Sequence, residues 1–382
     1  MTTIQASANP EVDEIVEAVC LVLQLTDTQF KTAEERYAGI ARYLQRSDGP
    51  VARFTPSLYP QGSMASRTTV RPLGREEFDL DIICCLEDYL AKLSSDFLYH
   101  MVLDDLRSNG NYRDLIEPQK RCIRLNYKGE FHLDIVPACP DTSRGDTGIL
   151  IPDRELSGWV RSDPKAYATW FNALAESVHG RSEEREIAAS AEPVPDNGHA
   201  FDRLPLQRTV QLMKRRRSVY YGDDDLAPKS IVLTTLAGNH YTGQTFCTDA
   251  LLESLDGIIA TCPRSRPIVV RNPVDPSEDF TRSWTPKQGW AFLDFVEDFR
   301  ERISRLIRTS DLGSISEQLT DLFGVGPRGG DIGPLALKQY GENVRRKRDR
   351  HELGLKGSGA ITVLTPNADT ACKVSKNTFF GN

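Results

Sequence analysis

The chain has 382 residues, with 47 basic and 54 acidic side chains for a net charge of −7, and 39% hydrophobic against 26% charged residues. That usage belongs to two or three globular domains and excludes a mostly disordered chain. With no membrane-length apolar run, no secretory pattern in MTTIQASANPEVDEIVE and eight cysteines without paired spacing, the expectation is a soluble cytoplasmic protein with reduced thiols, too acidic for a generic nucleic-acid coat.

Residues 11–46 read as two helices. Val12, Ile15, Val16, Val19 and Leu23 recur at helical spacing, and so do Phe30, Ala33, Tyr37, Ile40, Ala41 and Leu44 after an Asp27 N-cap. The period then shortens in EFDLDIICCL (77–86), where Phe78, Leu80, Ile82 and Cys84 alternate with Asp79 and Asp81. A helix over 88–108 follows, and CIRLNY and FHLDIV (122–136) form a hairpin through Lys128-Gly129. Together these predict an α+β fold, a mixed-sheet core over 1–180 carrying the N-terminal helices. Residues 181–204, with two prolines, a third following at 205, and little apolar pattern, read as a connection. Residues 205–351 form a helical second domain and 352–382 a tail. Arg215, Arg216 and Arg217 read as a solvated face, and RRKRDRH (345–351) as the end of a solvated helix.

The chemistry concentrates around the D-x-D strand. Side chains at i and i+2 leave one face about 7 Å apart, where two carboxylates repel by roughly 2 kcal/mol. A strand bears that cost where the face is well solvated or where a cation sits between the carboxylates. Asp134, on the second hairpin strand, brings a third carboxylate and completes a hard-oxygen set suited to Mg²⁺. Upstream, YPQGSMASRTT (59–69) supplies Gly62 for a tight bend and Ser63 for a phosphate oxygen. His132 reads as a hydrogen-bonded histidine at the sheet edge. Cys84 and Cys85, being adjacent on a strand, face opposite sides and do not make a zinc site.

Gly-Ser, then Asp79-x-Asp81, then Asp134 on a later strand resembles the polymerase-β-type nucleotidyltransferase superfamily. With QRTVQLMKRRR (207–217), PKSIVLTTLAGNHY (228–241) and IVVRNPVDPSEDF (268–280), the resemblance narrows to bacterial CD-NTases over most of 35–330, with clade D as the placement among them. These are relatives of cyclic-GMP-AMP synthase and oligoadenylate synthase. The resemblance implies that Gly62 and Ser63, with Gln61 beside them, hold the incoming triphosphate. It implies that Asp79 and Asp81 bind both Mg²⁺ ions, with Mn²⁺ as a substitute, and that Asp134 binds the catalytic metal and helps activate the attacking hydroxyl. On the helix LQRTVQLMKRRRSVY (206–220), Lys214 lies at the edge of the stripe Leu206, Val210 and Met213. The resemblance makes it a phosphate ligand and Ser230 the matching hydroxyl. One departure is Arg67, which stands before Thr68 where the family often has glycine.

The implied activity joins ATP, alone or with a second nucleoside triphosphate, into a cyclic di- or trinucleotide messenger for antiphage signalling, with pyrophosphate released. Alternatives are linear transfer to RNA or a small acceptor, and a catalytically silent nucleotide-binding regulator. Family habit adds a regulator of the HORMA or ubiquitin-transfer-like type at the C-terminal tail. The chain lacks the His/Cys cluster of a zinc-bearing thumb, so activation by DNA is not expected. Tyr220, Tyr221 and Tyr241 are the aromatic candidates for a base platform, and the 271–280 turn is expected near the nucleotide pocket by resemblance.

Overall fold

The computed structural model describes residues 9–71, 78–89, 94–129, 131–143, 145–155, 157–177, 203–326 and 329–348, and the backbone of 349, 353–355, 361–363 and 372–373. Helix α1 (Pro10–Val22) begins with proline at its first position, where a missing N–H costs nothing, and Asn9 accepts from Glu11 N. Helix α2 (Asp27–Leu44) is capped by Thr26 rather than by Asp27. Thr26 Oγ1 accepts from Gln29 N while Gln29 Oε1 accepts from Thr26 N, so Thr26 and Gln29 form the capping box that moves the boundary one residue upstream.

Strand β1 (Pro56–Pro60) and the single turn α3 (Gly62–Ala65) lead to β2 (Phe78–Leu86). Ser94 caps α4 (Ser95–Ser108), the described part of the helix expected over 88–108. The sheet continues with β3 (Ile116–Pro118), β4 (Ile123–Tyr127), β5 (Phe131–Pro140), β6 (Ile149–Asp153) and β7 (Gly158–Ser162). Its order is β1-β2-β5-β4-β3, with β6 paired to the end of β5 and β7 to β6. The β4–β5 hairpin forms as expected, turning through Gly129 at φ 79°. Strands β2 and β5 are parallel, and their register sets Asp81 opposite Asp134 and Asp79 opposite His132.

The two faces of this sheet differ in a way that locates the chemistry. Phe78, Leu80, Ile82, Leu133 and Ile135 pack in one core with Ala33, Tyr37 and Ile40 of α2 and Leu98 and Val102 of α4. Ile83, Cys85, Val136 and Ala138 make a smaller cluster on the other face. Strand alternation puts Asp79, Asp81 and Asp134 on that second face, just before the apolar cluster starts.

After α5 (Pro164–Glu176) come α6 (Pro205–Tyr221), α7 (Ser230–His240), α8 (Cys247–Thr261), α9 (Pro286–Ile307), α10 (Leu312–Phe323) and α11 (Ile332–Asp349). They share one core, which also takes in Val12, Ile15, Val16, Val19 and Leu23 of α1 and Phe171 of α5. The first helix therefore packs with the second domain, although chain order groups it with the sheet. Its apolar stripe finds α11, and Lys347 Nζ meets Glu14 3.1 Å away. Arg346, Lys347 and Arg348 do end a helix, in the last turn of α11, where cations suit the helix dipole. Most of the expected connection over 181–204 lies outside the described residues. The tail is not featureless: β8 (Leu353–Leu355), β9 (Ile361–Val363) and β10 (Cys372–Lys373) pair into an antiparallel sheet of order β10-β8-β9.

The arginine run is not a solvated face. Arg215 is 1% exposed and donates through Nε to Phe323 O at 2.8 Å and through Nη2 to Val325 O. Arg216 donates to Asp321 O and Leu322 O, both at 3.2 Å, and to Asp298 Oδ2 at 2.6 Å. Those carbonyls belong to the last turn of α10 and the residues after it, where a helix runs out of its own donors. Helix α6 is buried nearly all round, and its guanidinium groups satisfy the end of a neighbour. Among the described residues no helix is long and apolar enough to cross a membrane.

Candidate active site

The 61–69 turn is fixed to the D-x-D strand through its backbone. Gln61 N donates to Asp81 O at 2.9 Å, and Thr68 N to Ser63 O at 2.9 Å. Gly62 adopts φ +59°, and a Cβ there would sit 3.0 Å from Asp81 Oδ2. Both the backbone sign and the close approach to a carboxylate call for glycine. Ser63 Oγ accepts from Thr69 Oγ1 at 3.2 Å, and Ser66 Oγ donates to Gly62 O at 2.9 Å. Arg67 has φ +55°, which explains why glycine suits this position. Its carbonyl accepts from Arg203, whose own guanidinium pKa is lowered to about 10 by burial and then by the charge of Arg67. Arg67→Gly relieves both the left-handed backbone and the like-charge contact. It should raise stability by about 1 kcal/mol, read as a higher urea midpoint at unchanged slope.

The three carboxylates occupy adjacent strands, as the sequence implies. Asp134 is 7% exposed, and Arg124, its register partner on β4, holds it bidentately at 2.8 Å through Nε and 2.8 Å through Nη2. Arg124 Nη2 also lies 3.6 Å from Asp79 Oδ1. The sequence reading missed Arg124, although hairpin pairing across Lys128-Gly129 would have placed it opposite Asp134. Burial, then Asp134 and Asp79, push the Asp81 carboxyl up to about 7. Asp79 is raised as well, by burial first, with Arg124 opposing. Among the described residues no three His, Cys, Asp or Glu side chains close around an ion, in keeping with the hold of Arg124 on Asp134. The donor set still fits a hard dication, because positive charge at Asp81 would relieve the crowding that raises its pKa. His132 is not at a sheet edge: β5 runs between β2 and β4, and His132 is the register partner of Asp79, where it weakly opposes the rise that burial causes.

A cavity of about 510 Å³ opens beside these strands. Gln61, Gly62, Ser63, Asp79, Asp81, Lys214 and Ser230 all line it, so seven of the eight expected residues share one wall system. Asp134 stands behind, in the grip of Arg124. Lys214 Nζ donates to Thr68 O at 3.2 Å and Thr68 Oγ1 at 2.9 Å. Burial, then Arg217, lower its pKa to about 7, against the pull of Asp81. Ser230 is the first residue of α7, with Lys229 at the N-cap, and its Oγ accepts from Arg217 Nη1 at 3.3 Å.

None of the three proposed platform tyrosines lines the cavity. Tyr221 and Tyr241 are core residues whose hydroxyls donate to Ala291 O at 2.9 Å and Gln244 O at 3.0 Å. Tyr220 packs edge-on against Phe295. The aromatic walls are instead Tyr167, from α5, and Phe280, with ring centroids 6.4 Å apart. Asn272 and Glu278 join them, so the 271–280 turn does reach the pocket.

Comparison with known proteins gives this geometry a lineage. The family model "Second Messenger Oligonucleotide or Dinucleotide Synthetase domain" matches residues 12–174. A c-di-GMP synthase from Roseivirga ehrenbergii is 30% identical over 385 residues, covering 99% of this chain and 100% of the relative. Cyclic dinucleotide synthase CdnG from Bradyrhizobium diazoefficiens is 27% identical over 306 residues, covering 72% and 71%. Neither is named for clade D. The structure of the Bradyrhizobium diazoefficiens CD-NTase CdnG in complex with GTP superposes with a TM-score of 0.67 at 23% identity, over 86% of this chain and 98% of the other. Vibrio cholerae DncV in its GTP-bound form gives 0.55 at 15% identity, over 85% and 88%. E. coli CdnC in complex with HORMA gives 0.58 at 15% identity, over 80% and 95%. These superpositions show the α+β, polymerase-β-like fold, and the full-length match shows the family. The chain belongs to the bacterial CD-NTases and is a nucleotidyltransferase.

Proposed function

We propose that this enzyme joins two GTP molecules into a cyclic di-GMP messenger and releases pyrophosphate. The observation that carries the reading is the single cavity in which the D-x-D carboxylates, the Gly62-Ser63 turn, Lys214 and Ser230 meet. The relative that matches end to end is named a c-di-GMP synthase, which supports GTP over the ATP expected from sequence. Asp79, Asp81 and Asp134 would hold Mg²⁺. Bound there, the metal supplies charge neutralisation at the attacking hydroxyl and at the leaving pyrophosphate.

The chain's own residues do the rest by positioning and electrostatics. Ser63, Ser230 and Lys214 orient the triphosphate, and the absence of a Cβ at Gly62 lets the backbone approach it. Asp134, when Arg124 releases it, takes the proton of the attacking ribose hydroxyl. A cytoplasmic role in antiphage signalling, and a HORMA or ubiquitin-transfer-like regulator acting at 352–382, complete the proposal. Unchanged activity and partner binding after deletion of 365–382 would remove the regulator. The experiment for the activity is incubation with each labelled ribonucleoside triphosphate, singly and in pairs, followed by phosphatase and mass spectrometry. A phosphatase-resistant guanine dinucleotide from GTP alone supports it. Label that appears only after RNA or a small acceptor is added would point to linear transfer instead.

Lys214 gives the site a pH signature. Near pH 7 its amine is part neutral, and a bound triphosphate favours the charged form. GTP binding should therefore take up protons and weaken as pH rises above about 7, by at most about tenfold per pH unit for one proton. Arg217 and Asp81 also face the amine and pull in opposite directions. Calorimetry in buffers of different ionisation enthalpy measures the uptake, and Lys214→Met should abolish it.

A further inference from the structure

One part of the cavity wall carries chemistry that phosphoryl transfer does not use. Asn272 and Glu278 stand there with Tyr167 and Phe280. Their turn is tied across its base, with Asn272 N donating to Glu278 O at 2.9 Å and Phe280 N to Val270 O at 2.9 Å. Asn272 is 6% exposed, and its amide is held at both ends. Its Oδ1 accepts from Val274 N at 3.0 Å, and its Nδ2 donates to Glu278 Oε2 at 2.7 Å. The amide is thus fixed by a backbone donor and presents its NH₂ to the glutamate. Asp163, the other carboxylate in this wall, is already engaged: Oδ1 accepts from Ala166 N and Oδ2 from Thr147 Oγ1, both at 2.9 Å. Glu278 is therefore the acidic group with acceptor capacity to offer a ligand beside the two aromatic rings.

We infer that Glu278, oriented by Asn272, reads the purine and selects guanine over adenine. The inference rests on the proposed nucleotide-joining use of this cavity. A carboxylate only accepts hydrogen bonds. Guanine turns two adjacent donors outward, N1–H and the 2-amino group, and both match the carboxylate oxygens. Adenine offers its 6-amino donor beside an N1 lone pair, so one contact forms and the other sets two acceptors face to face. Tyr167 and Phe280 supply flat apolar surface for the ring. A site built for particular donors rejects an analogue that lacks them more strongly than an apolar pocket does.

The isosteric change Glu278→Gln tests the hydrogen-bond pattern and leaves the shape alone. Asn272 Nδ2 keeps the new carboxamide oxygen on its own side, so the NH₂ end faces the base. That end suits adenine N1 and opposes guanine N1–H. Dissociation constants for the α,β-methylene analogues of GTP, ITP and ATP, measured with Mg²⁺ by calorimetry, separate the possibilities. The unmodified protein should favour the GTP analogue over the ATP analogue by about tenfold or more. The ITP analogue, without the 2-amino group, should bind several-fold more weakly than the GTP analogue. In Glu278→Gln the preference for GTP over ATP should vanish or reverse, and the difference between GTP and ITP should close. The inference is overturned if both ratios are the same in the two proteins, or if the unmodified protein binds the ATP analogue as tightly as the GTP analogue. If no analogue binds at all, the nucleotide-joining reading falls with it. If guanine product forms and the ratios do not move, only the assignment to Glu278 fails.

Discussion

Asp81→Asn should lower the rate of product formation by about a thousandfold or more while GTP affinity changes by less than about threefold. The change is nearly isosteric, and it removes one of the negative charges that Asp79, Asp81 and Asp134 crowd onto adjacent strands. Burial and those neighbours hold the Asp81 carboxyl at about 7, so the folded chain gains nothing from its charge when no cation is present. The variant should accordingly melt at the same temperature as the unmodified protein or above it. Turnover within about tenfold of normal would mean that the chemistry lies elsewhere. A collapsed melting temperature would mean that Asp81 is structural. Activity and thermal melting on one preparation decide between these.

The largest stability effect should come from a residue outside the cleft chemistry. Arg215→Met should cost about 3–5 kcal/mol, because a deeply buried guanidinium is replaced by a side chain that cannot donate. Phe323 O and Val325 O would lose their partner where α10 ends, inside the helical core. Both arginines reach the cavity wall, but Arg217, two residues along the same helix, is only half-buried and donates to Pro228 O at 3.2 Å and Ser230 Oγ at 3.3 Å, so Arg217→Met should change the urea midpoint far less. Two variants of equal cost would contradict the idea that the end of α10 depends on Arg215 in particular.

Much of this was legible from residue order. The alternation in FDLDIICCL fixed which side of β2 carries the aspartates, since a strand has a strict period of two. Lys128-Gly129 announced the hairpin, and the resemblance brought Lys214 and Ser230 to the same cavity as Gly62. The misses share a cause: they depend on which elements meet, and local pattern does not contain that. Arg215 and Arg216 look solvated until α10 is seen to end against them. Helix α1 looks like part of the sheet domain until its stripe is seen to lie on the helical core. Tyr167 and Phe280 sit 113 positions apart in the numbering and become a pair only when α5 and the 268–280 turn close on one cavity. Strands such as β1 and β6 contain prolines and are only five residues long, which hides their period.

The central claim is that the D-x-D strand, the Gly62 turn and Lys214 form one nucleotide-joining centre. Diffraction from crystals grown with the α,β-methylene analogue of GTP and Mn²⁺ tests it most directly, because manganese is located by its anomalous scattering. The account predicts an anomalous peak among Asp79, Asp81 and Asp134, with the triphosphate on Ser63, Ser230 and Lys214 and Arg124 moved off Asp134. Nucleotide bound away from the aspartates, or Arg124 still paired with Asp134 beside a fully occupied metal, would contradict it.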